Sequence, residues 1–178
     1  GETVGMRPGE HQLLFYNNDT EYIVFDDMYS SAAAKATTRT RTRATYMGNP
    51  FNNNMKETTV NMPDMLYGNY NKSYTSERST EVTEMNVTMH PLVFKYLVRY
   101  EFSKGLEYVG IVRGALSGMA SSVYLQSGNT SPEMATLLYD CTLKPWGAEA
   151  VVTSFGVPDY PNALYTTTRT PLSNALNL

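Results

Sequence analysis

Cysteine is nearly missing from this chain. Cys141 is the one thiol among 178 residues, which excludes an intrachain disulfide framework and a multi-cysteine metal cage. Histidine is almost as scarce: His11 and His90 lie far apart, each beside a proline-containing turn, and neither sits in an HxH, HExxH or HxxE arrangement. Charge of one sign is also lacking. With 14 basic and 17 acidic residues the net charge is −3, so the field that draws nucleic acid or steers a charged substrate is absent. No stretch reaches the roughly 18 consecutive apolar residues of a membrane span. Glycine-rich phosphate loops of the GxGxxG or GxxxxGK type do not occur. Neither a metal nor a cofactor is expected.

What is present points to strands. Hydrophobic residues make up 42% of the chain, enough for a packed core, and fourteen tyrosines dominate the aromatic content. Tyrosine and abundant threonine suit pleated, half-buried surfaces. Leu13 to Tyr16 and Tyr22 to Phe25 are short apolar runs separated by the polar turn Asn17-Asn18-Asp19-Thr20, a strand–turn–strand pattern. Thr37 to Thr45 sets Arg39, Arg41 and Arg43 on one face of any strand formed there, which reads as a charge-protected edge. Asn49-Pro50 and Asn52 to Asn54 mark a loop.

Farther on, Met85, Val87 and Met89 alternate with polar residues and predict a half-buried strand. Leu92 to Phe102 keeps period two over eleven residues. Leu106 to Val112 predicts a returning strand, Gly114 to Ala120 a small-residue packed segment, and Leu137 to Leu143 another strand that turns at Lys144-Pro145-Trp146-Gly147. Val151 to Phe155 and Leu164 to Thr168 are further short strands, and the chain stops at Leu176 to Leu178 in an apolar run. Many short strands and no amphipathic helix predict an all-β chain folded as a β-sandwich. Two units are expected, a partial first sandwich and linker over residues 1–56 and a second sandwich over 57–178.

Catalytic patterns fail one by one. Gly114-Ala115-Leu116-Ser117-Gly118 has glycine directly after the serine, whereas a nucleophile elbow needs it one position later. Asp26 and Asp27 are adjacent, so on a strand they face opposite sides. Asp19 with Glu21, or Glu107 with Glu133, are the other carboxylate pairs, and turn carboxylates ordinarily cap backbone donors. The reading is therefore a protein without catalytic residues. Tyr67, Tyr70 and Tyr74, in a Gly- and Asn-rich stretch, and Trp146, in a turn, are the candidate ligand-binding residues, since exposed aromatics beside amides stack on sugar rings. The alternative for them is a loop fastened to the sandwich by its tyrosines.

Pro8-Gly9-Glu10 with Tyr16-Asn17-Asn18-Asp19-Thr20-Glu21 resembles the first-domain strand and turn of Bacteroides-type fimbrium-associated lipoproteins. Tyr100-Glu101-Phe102, Leu106 to Val109, Ala115 to Ala120 and Phe155-Gly156-Val157-Pro158 are similar to later strands and turns of that family. The resemblance spans most of the chain in scattered short pieces. It implies transthyretin-like β-sandwich domains, the first incomplete here, and export to the outer membrane at the cell surface. It also implies a role in anchoring or assembling fimbriae, with fimbrial subunits as partners through β-strand addition. Membrane contact in that family runs through a lipid on an N-terminal cysteine. Cys141 lies mid-chain and does not match that position. A carbohydrate-binding surface module and a viral capsid-type sandwich are the alternative functions.

Overall fold

The computed structural model describes residues 3–42 and 58–159 and the backbone of 176–177. Among these residues thirteen strands follow one another: β1 (Gly9–Tyr16), β2 (Ile23–Asp26), β3 (Lys35–Thr38), β4 (Thr58–Asn61), β5 (Tyr67–Ser76), β6 (His90–Pro91), β7 (Phe94–Glu101), β8 (Arg113–Ala120), β9 (Ser122–Tyr124), β10 (Met134–Asp140), β11 (Thr142–Lys144), β12 (Gly147–Ser154) and β13 (Leu176–Asn177). A single 3₁₀ turn, Leu106–Tyr108, is the one helical element among the described residues. The chain is all-β, as its composition predicts.

The strands form four small sheets, ordered β1-β5-β6, β2-β3-β9, β13-β8-β10-β4 and β11-β12-β7. Two apolar cores lie between them. The first gathers Ile23, Ala36, Leu66, Leu92, Val123 and Phe155 among others, with Leu14, Tyr16 and Phe25 packed against it. It lies between the β1 and β2 sheets, where the Tyr16 and Phe25 rings meet at 4.7 Å between centroids. The second gathers Val60, Leu116, Met119, Leu137, Tyr139 and Val152, between the β8-β10-β4 strands and the β7–β12 pair. Residues on both sides of position 56 supply the first core, and the second draws only on residues after it.

Two nearly continuous strands tie the sheets together. β6 and β7 are separated only by buried Leu92 and Val93, and β8 and β9 only by Ser121. A strand that leaves one sheet and enters the next is how sandwiches turn their corners. β3 is prolonged in the same way, because Arg41 donates its backbone N–H to Thr59 and Asn61 donates to Arg39.

Several sequence expectations change here. Residues 84–89 form no strand despite their alternation. A strand exists only through a partner, and the edge of β5 there is met by just His90–Pro91, whose proline has no N–H to give. Leu106 to Val112 does not return as a strand either: Gly105, at φ 79°, starts the 3₁₀ turn instead. Gly114 to Ala120 is β8, an inner strand hydrogen-bonded to β10 on one side and β13 on the other. Its glycine is needed because the ring of buried Tyr139 lies where a Cβ at position 114 would sit. The stretch holding Tyr67, Tyr70 and Tyr74 is not a loop but β5, ten residues long. The expected strand at Leu164 to Thr168 lies outside the described residues.

Candidate functional site

The candidate aromatic residues divide over two sheets. Opposed residues of an antiparallel pair share a face, and Leu14 and Tyr16, which pack on the core, oppose Tyr70 and Gly68. Tyr70 therefore faces inward. Tyr67 lies on the outer face, along with Asn69, opposite Phe15, and Asn71, opposite Leu13. A register shift between His11 and Leu13 gives β5 an extra residue and leaves Tyr74 opposite His11, on the same outer face as Tyr67. Tyr67 remains 39% exposed. Trp146 is elsewhere, in the two-residue turn between β11 and β12, with the Arg99 guanidinium 3.8 Å from its ring centre. One face of that indole is thus occupied by a cation–π contact within the chain.

The edge expected at Thr37 to Thr45 is not one where β3 runs, because β3 lies between β2 and β9; the long edges lie elsewhere. β7 pairs with β12 in an unbroken eight-residue register, Phe94 opposite Ser154 through to Glu101 opposite Gly147. Along Lys95 to Glu101 its other side meets no strand among the described residues. Among the described residues β1 is likewise an edge strand, paired only with β5, but its ladder carries the register shift. The outer face beside β7 is partly apolar: Leu97 is 70% exposed and its opposed neighbour Val151 51%. Around them stand Lys95, Arg99 and Glu101, with an Arg99–Glu101 ion pair at 3.2 Å and Lys144–Glu149 at 2.8 Å.

Other chemistry-bearing residues serve the scaffold. Asp140 meets Arg41 at 3.2 Å and Arg113 at 3.3 Å, tying the prolongation of β3 to β8 and β10. Arg43 lies outside the described residues. Beside this cluster a shallow depression of about 230 Å³ is lined by Ile111, Arg113, Asp140, Cys141 and Leu143. Partial burial, with the charge of Asp140, pushes the Cys141 thiol above its usual range, which makes it a poor nucleophile near neutral pH. His11 bonds the Arg7 carbonyl through Nε2 at 2.6 Å. Asp27 pairs with Lys35 at 2.8 Å. Among the described residues no three His, Cys, Asp or Glu side chains come close enough to hold a metal ion. No described helix is long and apolar enough to cross a membrane.

Residues 1–140 match the family described as a domain of unknown function, DUF5119. The chain belongs to the DUF5119 family. No curated protein sequence matches it. Among solved structures, it is similar to a candidate adhesin from Bacteroides ovatus, with 24% sequence identity and a TM-score of 0.66. That match covers 96% of this chain and 59% of the other, so the DUF5119 chain spans about three fifths of that protein's length. At this identity the likeness establishes a shared fold.

Proposed function

We propose that the chain is a non-catalytic cell-surface adhesive domain, an anchor or assembly component of fimbria-like structures that joins its partner subunits by β-strand addition. The observation that carries this reading is the pair of eight-residue edge strands, β1 and β7, each hydrogen-bonded on one side only among the described residues. An exposed edge offers a row of backbone donors and acceptors that an extended segment from another chain can complete. The fold shared with the Bacteroides ovatus candidate adhesin supports the same role, as does the resemblance to fimbrium-associated lipoproteins. In this reading the protein stands at the outer membrane, held there by a lipid outside the present residues. Mixing the chain with fimbrial subunits from the same organism is expected to give a complex that survives size-exclusion chromatography. Separate elution with every such subunit contradicts the proposal.

A second reading has one specific support, the placement of Tyr67 and Tyr74 on one face with Asn69 and Asn71 between them. Aromatic rings flanking amides suit a sugar chain. Glycan binding that disappears in the Tyr67→Ala/Tyr74→Ala variant, with the melting temperature unchanged, distinguishes this reading from the first.

A further inference from the structure

The pattern of charge along β7 identifies an occupant for its open edge. A sheet continues smoothly across a new antiparallel pair only if opposed residues lie on the same face. On β7 the outward positions are Lys95, Leu97, Arg99 and Glu101, and the inward ones Phe94, Tyr96, Val98 and Tyr100, as shown by their partners on β12. We propose that β7 pairs with β7 of a second copy of this chain, antiparallel, about a two-fold axis at Val98. In this register Lys95 opposes the partner's Glu101 and Glu101 opposes the partner's Lys95, so two opposite-charge pairs close the ends. Tyr96 opposes the partner's Tyr100 on the inner face, which covers a Tyr96 ring that is 40% exposed in the single chain. The exposed Leu97 receives the stem of the partner's Arg99.

The two registers centred one residue to either side fail on charge. An axis at Leu97 sets Lys95 against Arg99, and an axis at Arg99 sets two guanidinium groups face to face. Lysine on an edge normally repels a second edge. Here its place three residues before Val98, with Glu101 three residues after, converts that protection into self-recognition. Lys95 makes no ion pair among the described residues, so its charge is available to the partner. The result is a closed two-fold dimer with a continuous six-stranded sheet, β11-β12-β7 joined to the same three strands of the partner. This inference uses the open edge and not the fimbrial reading. Its failure leaves the subunit-mixing experiment intact, with both β1 and β7 open; its success leaves β1 as the remaining long edge.

Sedimentation velocity of the chain at low salt, from about 1 to 300 µM, is expected to show reversible dimerisation. Lys95→Glu and Glu101→Lys each turn two attractions into two repulsions and are expected to weaken the dimer about tenfold. An equimolar mixture of the two single variants restores both attractive pairs and is expected to dimerise within about threefold of the unaltered chain, as is the double variant. Both positions are exposed, so at concentrations where the chain is monomeric the far-ultraviolet circular dichroism and the melting temperature should not change. A monomer across the whole concentration range overturns the proposal. So do single variants that dimerise like the unaltered chain, or a mixture no stronger than its components.

Discussion

Asp64 belongs to no strand, yet it joins two parts of the first core. One of its carboxylate oxygens accepts the backbone N–H groups of Glu21 at 2.9 Å, Tyr22 at 2.6 Å and Ile23 at 3.3 Å. Asn17 works from the other side of the same junction, accepting the Tyr67 N–H at 2.7 Å and donating to the Met65 carbonyl at 3.1 Å. Together they fasten the β1–β2 turn to the chain entering β5. Asp64→Ala leaves three donors to water or to nothing and is expected to lower the unfolding free energy by about 1–2 kcal/mol in denaturant titrations. Asp64→Asn should keep part of that. The polar turn at residues 17–20 is legible in the sequence. Its partner Asp64 is not, because the pairing joins residues more than forty positions apart and no local pattern marks it. Gly147 is a similar case. A Cβ there would lie 1.9 Å from the Tyr100 carbonyl oxygen, at a backbone φ of 152°, so Gly147→Ala should cost more than about 2 kcal/mol. Gly110→Ala, with open space around its Cβ, serves as the control. Titration adds a third test. Burial raises the Tyr100 hydroxyl and the Cys141 thiol above their ordinary values, and the hydrogen bond to Asp27 raises Lys35. A group whose folded pKa is raised contributes fully below its unfolded value and loses that contribution as pH climbs through the folded one. Melting temperature should therefore hold to about pH 8.5 and fall as pH rises from 9 to 11. Cys141→Ala should flatten the earliest part of that fall.

At the scale of elements, period two marks β7 well, with one face on a core and the other toward solvent, while β1 and β2 stand out instead as short apolar runs flanking a polar turn. Pattern misleads where pairing decides. Residues 84–89 alternate but meet no partner strand among the described residues, and β5, with Gly68, Asn69 and Asn71 in its first half, is still the longest described strand, because β1 pairs with it from Gly68 to Ser76. β8 hides for a different reason: its small residues reflect the Tyr139 ring packed over Gly114, where side-chain volume has been supplied from the neighbouring strand. The Tyr100 and Tyr139 hydroxyls then meet at 2.5 Å across the second core. Tyr139→Phe removes that bond and leaves the Tyr100 oxygen half-buried, and is expected to cost about 1 kcal/mol by thermal or chemical denaturation. Of the candidate binding residues, the sequence identified the tyrosines as a group but not their division, since the register shift that turns Tyr74 outward is a property of two strands together.

For the whole molecule, two cores held between four sheets leave long edges, and a fold of this kind either guards its edges or uses them. β7 is regular, eight residues long and bordered by exposed Leu97 and Val151. β1 is equally long. In the proposed function these edges are where the protein meets other chains. Hydrogen–deuterium exchange read along the chain, alone and with a fimbrial subunit in excess, tests it most directly. New protection of backbone amides is expected only in β1 or β7, because an added strand engages the outward-pointing N–H groups there. A complex that forms without protection in either strand, or with protection only in the loops, contradicts it.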